Sequence, residues 1–315
     1  MQIDAWLGDD LRMGVSMGRA RARTAPRRSV HEFVPAPLRP STIVAGRVLR
    51  DIAYRAMNRV SRANPRPLFV LGNQKSGTTA IAALLAEATG RSVTLDLARE
   101  VWKPSFQRIP SGDLSFADFV ARNRWGFSRD FIKEPNLTLF YPELIETFPE
   151  ATFLFVLRDP RDNIRSLLNR LQLPGNLESL SESAWSTDNP HSTPGWGFVY
   201  DGRWRGIPGE HYIEQLAHRW RICFEVYAAN AARIKLCRYE DFLAAKEATI
   251  LGLAKTLGYP VVGELGGRID YPFQPGGDPS TVWAEFFGAE NQSRIETICG
   301  EGMQAMGYPC EALGR

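Results

Sequence analysis

One segment constrains this chain more than any other: Leu68-Phe69-Val70-Leu71-Gly72-Asn73-Gln74-Lys75-Ser76-Gly77-Thr78-Thr79, running on into AIAALL. Four apolar residues between Pro67 and Gly72 read as a strand buried on both faces, the pattern of a parallel sheet. A tight glycine loop follows, and a helix opens near Gly77. In that order the loop N–H groups converge on one point, where the helix dipole adds about half a positive charge. The result is a cradle for phosphate. The plainer alternative, a glycine turn with an ordinary surface lysine, fits poorly with Lys-Ser-Gly-Thr-Thr placed straight after a strand.

From Pro67 onward, short apolar runs alternate with amphipathic stretches. This predicts an α/β domain whose parallel central sheet is flanked by helices, P-loop-like in its first unit. Strands are expected at 68–72, 92–96, 130–133, 152–157 and 234–238, and helices at 78–88, 141–148, 160–172, 211–232, 246–258 and 290–306. The Gly-, Pro- and Trp-rich interval 174–209 is long for a loop in a compact domain, and such loops are usually functional or mobile. Its Trp185, Trp196, Phe198, Tyr200 and Trp204, interleaved with Gly195, Gly197, Gly202 and Gly206, suit a substrate loop that covers an acceptor.

Composition sets outer bounds. A chain of 315 residues, 44% apolar and 23% charged, can bury a full core without disulfides or structural metal. Cys223, Cys237, Cys299 and Cys310 show no CxxC spacing and read as reduced thiols, not metal ligands. No run approaches the roughly 18 apolar residues of a membrane span. A cytoplasmic protein without a Golgi-type anchor is therefore expected. The net charge of +3 is unevenly spread, because residues 1–66 carry 13 Arg, no Lys and 5 acids while the remainder is net −5. Residues 1–41 are expected to form a loosely ordered arm. Segment 43–60 spaces Val44, Val48, Ile52, Met57 and Val60 as a basic amphipathic helix, packed on the body or touching an anionic surface. Arginines without interleaved aromatics do not point to specific nucleic-acid binding.

A nucleotide triphosphatase loop reads GxxxxGK[ST]. Gly72 and Gly77 keep that glycine spacing, but Thr78 stands in the lysine position and Lys75 lies inside the loop. No acid of Walker-B type follows the later strand to hold Mg²⁺, so a P-loop kinase is the weaker alternative. A second motif follows strand 152–157: Arg158-Asp159-Pro160-Arg161-Asp162-Asn163-Ile164-Arg165-Ser166. Asp159 suits an N-cap and Pro160 the first helical position, with Ile164, Leu167, Leu168 and Leu171 as the buried stripe. Arg158 then sits at the strand end and Ser166 on the second helical turn.

Lys75-Ser76-Gly77-Thr78-Thr79 resembles the 5′-phosphosulfate loop of sulfotransferases that use 3′-phosphoadenosine-5′-phosphosulfate (PAPS), and Arg158 to Ser166 resembles their 3′-phosphate motif. Arg238-Tyr239-Glu240-Asp241-Phe242 is similar to the family's RYEDL segment, and 293–308 to the terminal helix of bacterial and carbohydrate members. The resemblance spans 67–308 and implies the sulfotransferase fold. It also implies PAPS as co-substrate without a metal: Lys75, Ser76, Gly77, Thr78 and Thr79 on the 5′-phosphosulfate, Arg158 and Ser166 on the 3′-phosphate, and Tyr239 by the adenine. Three departures stand out. Ala80 occupies the place of an adenine-stacking aromatic, the late Arg-Lys-Gly segment of cytosolic members is not visible, and their Lys-x-His element reads Lys133-Glu134-Pro135. The missing histidine argues against the small-phenol subgroup. Carbohydrate and tyrosylprotein members use a carboxylate after the first helix, for which Asp96 and Glu100 are candidates. Glu100-Val101 resembles an element of the heparan N-sulfotransferases, so Glu100 is favoured as base with Asp96 kept open, and Lys133 is expected to assist at the sulfonate. The implied reaction is in-line sulfuryl transfer to a hydroxyl or amine. The acceptor is expected to be a carbohydrate or glycolipid first, protein tyrosine second and a small phenol third.

Overall fold

The computed structural model describes residues 52–273 and 282–310. The arm 1–41 and the first part of the expected helix 43–60 lie outside the described residues. Five strands, β1 (Leu68–Gly72), β2 (Val93–Thr94), β3 (Phe131–Lys133), β4 (Thr152–Leu157) and β5 (Ile234–Arg238), form one sheet in the order β2-β3-β1-β4-β5. All four pairings are parallel; Leu68 lies opposite Phe131 on one side and Thr152 on the other. The expected sheet is thus present with each expected strand in it, although β2 keeps only two residues.

The helices are α1 (52–60), α2 (Thr78–Thr89), α3 (Ala98–Trp102), α4 (Phe116–Arg122), α5 (Tyr141–Thr147), α6 (Pro160–Arg170), α7 (Pro194–Tyr200), α8 (Tyr212–Ala229), α9 (Tyr239–Ala244), α10 (Lys246–Thr256) and α11 (Trp283–Ala305). They cover both faces of the sheet. Period-two alternation sends Leu68 and Val70 into a core with Ile81, Leu84, Leu85, Ile250 and Leu253, whereas Phe69 and Leu71 join Ile164, Leu167, Leu168, Leu216 and Trp220 on the opposite face. Helix α11 starts earlier than its sequence pattern implies and breaks at Gly288, whose φ of 70° lies in the left-handed region open to glycine. Among the described residues, no helix is long and apolar enough to cross a membrane.

Helix α1 corrects the expected packing. Tyr54 and Asn58 face the body: the Tyr54 hydroxyl donates to Asn123 Oδ1 at 2.8 Å, and Asn58 bonds the Ala121 carbonyl and the Trp125 N–H. Ile52 and Val60 point outward, 58% and 78% exposed. The inward face is the polar, aromatic i, i+4 pair, not the aliphatic stripe.

The strand order places the site. The chain leaves β1 towards β2 on one side and leaves β4 towards β5 on the other, so the loops diverge at the carboxyl ends of these neighbouring strands. Ligands of open α/β sheets settle in the crevice made there. The loop expected to cradle phosphate follows β1, and the Arg158 motif follows β4.

Candidate active site

The loop 72–78 is pinned from three directions. Thr138 accepts from the Gly72 N–H at 2.9 Å and donates to the Gly72 carbonyl at 3.0 Å. Asn163, on α6, donates through one amide nitrogen to the Gln74 carbonyl at 2.7 Å and to Ser76 Oγ at 2.9 Å, while its oxygen accepts from Asn73. Arg158 donates to the Lys75 carbonyl at 2.9 Å. Lys75 itself holds a left-handed φ of 66°, a conformation that costs a lysine about 1–2 kcal/mol and so needs this external support. Gly77, with φ 89°, stands at the N-cap of α2. A Cβ there would lie 2.2 Å from the Tyr239 ring, so glycine is what allows Tyr239 to close on the loop.

Tyr239 opens α9, and the Arg158 guanidinium lies 4.6 Å from its ring centroid. Beside it Glu240 accepts from the Asp159 N–H and from the Tyr308 hydroxyl, both at 2.9 Å. Asp159 caps α6 by accepting from the Arg161 N–H, with Pro160 in the first turn, and Ile164, Leu167, Leu168 and Leu171 form the buried stripe read from the sequence. The buried Arg161 guanidinium bonds Asp159 and Glu296 and stacks 3.8 Å from the Trp283 ring centroid. These contacts fasten α11 to the second motif, joining segments up to 135 residues apart.

Between the loop and β3 lies a recess of about 70 Å³, lined by Gln74, Lys75, Gly77, Thr78, Thr79, Asp96, Lys133, Pro135 and Trp196. Its volume takes a few waters or one tetrahedral end group, not a whole nucleotide. Lys133 is nearly buried, and its ammonium donates to Asp96 Oδ1 at 2.7 Å and to the Leu95 carbonyl at 3.2 Å. The Asp96 side chain is 44% exposed and borders the same space. Under this pair lies Glu134, which accepts from the Asn136 and Leu97 N–H groups. Burial first, then the Asp96 charge, pushes its carboxyl up to about 7, against the pull of Lys133.

Of the residues singled out in the sequence, Lys75, Gly77, Thr78, Thr79 and Lys133 come together in the recess, and the alternative base Asp96 joins them. Ser76 is held back by Asn163. Tyr239 and Arg158 meet at the loop's outer side, whereas Ser166 sits half-buried on α6 outside the recess lining. Glu100 is where the geometry departs from the favoured assignment. Its carboxylate is 2% exposed and accepts from the Ser105 N–H at 2.5 Å, the Ser105 hydroxyl at 3.0 Å and Asn123 at 2.9 Å. It organises the turn after α3 and is absent from the recess lining, and its pKa is raised by desolvation against these hydrogen bonds.

The interval 174–209 is also more ordered than expected. It contains α7 and two short 3₁₀ turns, and most of its aromatics pack inward. Tyr200 is buried and bonds the Leu167 carbonyl, while Trp204 stacks on Phe140 with centroids 5.9 Å apart. Trp196 alone of these rings lines the recess. Gly195 lets α7 approach, since a Cβ there would meet the Glu100 carbonyl at 3.0 Å. Sequence reasoning missed Gln74, Asn136, Asn163 and Arg219. For Arg219 a signal existed: Leu216, Trp220 and Cys223 form a helical apolar stripe into which Arg219 falls, and a charge on such a face needs a reason.

No family model matches the chain, and no curated protein does. Among solved structures it is similar to sulfotransferase STF9 from Mycobacterium avium, with 14% identity over 84% of this chain and 83% of that one and a TM-score of 0.48. It is also similar to a sulfotransferase from Alicyclobacillus acidocaldarius, with 20% identity over 79% and 99% and a TM-score of 0.38. A third is sulfotransferase STF1 from Mycobacterium tuberculosis H37Rv, with 16% identity over 82% and 83% and a TM-score of 0.42. Likenesses this distant leave any functional reading to rest on the site's own geometry.

Proposed function

We propose that this chain transfers a sulfuryl group from PAPS to a hydroxyl or amine acceptor, with carbohydrate or glycolipid as the leading acceptor class. The observation that carries the reading is a single recess in which Lys75, the hydroxyl residues Thr78 and Thr79, and the Asp96–Lys133 ion pair face one another. The donor set suits a dianionic end group: loop amides and a helix N-terminus, two hydroxyls and two ammonium groups, with one carboxylate at the rim. Arg158 and Tyr239, stacked beside the loop, lie in sequence positions that suit the remainder of the nucleotide.

In the reaction, the acceptor oxygen or nitrogen bonds to sulfur as the bond from sulfur to the 5′-phosphate oxygen breaks. Asp96 takes the acceptor proton. Lys75 offsets the charge that builds on the departing phosphate oxygen, and Lys133 anchors Asp96 at the recess. Trp196 excludes water from one side and offers a flat face that stacks on a sugar ring as readily as on an apolar one.

Thermal shift with 3′,5′-adenosine bisphosphate against ATP–Mg²⁺ tests the donor. Stabilisation by the bisphosphate is expected, and stabilisation by ATP–Mg²⁺ alone would turn the reading to a kinase. Incubation with radiolabelled PAPS and panels of glycans, glycolipids, tyrosine peptides and phenols then tests the acceptor class. Label in phenols alone would overturn the carbohydrate assignment.

A further inference from the structure

Arg219, on α8, is 0% exposed. Among the described residues, every hydrogen bond of its guanidinium goes to a neutral oxygen: Asn73 Oδ1 at 3.2 Å, Gln74 Oε1 at 2.9 and 3.3 Å, Asn136 Oδ1 at 2.7 Å and the Phe198 carbonyl at 3.4 Å. A buried cation held this way lacks the counter-ion that normally offsets its desolvation. The nearest acidic groups are poor substitutes. Cys223, one turn along α8, has its thiol pushed up to about 11 by burial, and Glu134, though its charge is felt at Arg219, makes no hydrogen bond to it and is linked to it by way of Asn136.

The acceptors lie on three segments that each send a residue to the recess lining: Gln74 itself, Pro135 beside Asn136, and Trp196 near Phe198. Asn73 and Gln74 are the phosphate loop, Asn136 follows Lys133 and Glu134, and Phe198 is on α7, two residues after Trp196. One guanidinium therefore spans the donor side and the acceptor side, which the sequence separates by more than 100 residues. Its bond to Phe198 is the longest of the five and has the most room to tighten.

We infer that Arg219 is a positioning residue that couples the phosphate loop to α7, so that an anion seated on the loop orders α7 and holds Trp196 at the recess. The inference rests on the PAPS reading of the recess. The anion supplies the charge that Arg219 lacks, the amides of Asn73 and Gln74 become fixed, and the same guanidinium passes that rigidity to the Phe198 carbonyl. By reciprocity, ordering α7 tightens the nucleotide.

Amide hydrogen exchange with and without saturating 3′,5′-adenosine bisphosphate tests this, with saturation set from each variant's own binding curve. In the unaltered protein the nucleotide is expected to slow exchange about tenfold in both 73–79 and 194–200. In Arg219→Gln, 73–79 should still slow while 194–200 changes less than about twofold, a split that a merely structural role would not produce. Arg219→Lys, which keeps the charge and most of the volume, supplies the same readout if the glutamine variant does not fold; a single ammonium cannot span the three segments, so the split should persist. Equal slowing of 194–200 in either variant overturns the coupling, as does a native protein in which 73–79 slows and 194–200 does not. If the native protein binds no bisphosphate, the donor reading fails, and this inference with it.

Discussion

The assignment of the base is open to a paired substitution whose two halves differ in their effect on turnover. Asp96→Asn removes the carboxylate at the recess rim while keeping shape. The Asp96 side chain is 44% exposed but that of Lys133 only 5%, so the lost ion pair costs more than a surface pair does, about 1–3 kcal/mol of stability. Loss of a general base costs about 10²–10⁴-fold in turnover. Glu100→Gln should lower stability and spare turnover. The Glu100 carboxylate accepts from Ser105 N–H, Ser105 hydroxyl and Asn123 amide, and an NH₂ group placed among these donors leaves at least one buried group unpaired. That costs about 1–3 kcal/mol, a fall in Tm of several degrees at this chain length, with turnover unchanged within about threefold where the variant is folded. Radiolabelled sulfate transfer and thermal melts, run on both variants beside 3′,5′-adenosine bisphosphate titration, separate the outcomes. A Glu100→Gln protein that melts normally, binds nucleotide and has lost 100-fold or more in turnover, beside an active Asp96→Asn, would refute the reasoning and return the base to Glu100.

Three other outcomes are expected. Lys75→Ala should lower turnover by about 100-fold or more, as removal of an electrostatic transition-state contact does, measured by the same transfer assay at saturating acceptor. Gly77→Ala must both hold a left-handed φ of 89° and displace the Tyr239 ring, so nucleotide affinity should fall at least about tenfold in calorimetry, with the effect lessened in a Tyr239→Ala background. Glu134 is an acid whose folded pKa is raised to about 7 from 4.5, so the folded state holds its proton more tightly than the unfolded one. Its contribution to stability is complete below about pH 4.5 and is lost as pH rises to about 7. Melts of Glu134→Gln across that window should lack this part of the native slope, and an unchanged slope would count against it.

How far the site could be read in advance followed the range of the interactions. The strand, loop and helix around Lys75 are set by contiguous residues, and so is the cap of α6, because Asp159, Pro160 and the Ile164 stripe lie within one local pattern. Those features fell where the sequence put them. Glu100 did not, because whether a carboxylate on a short helix faces the recess or turns back onto Ser105 and Asn123 depends on where α4 packs, 23 residues on. Helix α7 shows the same limit: its aromatic content was plain, but only the close approach that Gly195 permits to the Glu100 carbonyl decides that Trp196 faces the recess while Tyr200 goes into the core. Arg219 lay furthest from view, since its four partner residues come from three segments and none is charged.

The charge of the recess follows from these placements. The chain from residue 67 is net −5, so attraction of a polyanion cannot come from the body as a whole and must be focused locally. At the recess, Lys75 and Lys133 face one exposed carboxylate, Asp96, and Arg219 stands behind Gln74 without a carboxylate of its own. If Glu134 were as acidic as an exposed glutamate, it would cancel one of these cations. Burial and the neighbouring Asp96 push its carboxyl up to about 7, so Glu134 trims the excess of cations over Asp96 only as pH rises towards and past neutrality. The same desolvation that makes Arg219 costly to bury strengthens its field at the loop. A net-acidic body can therefore present a cationic recess, because Lys75, Lys133 and Arg219 converge there while the burial of Glu134 delays the charge that would oppose them.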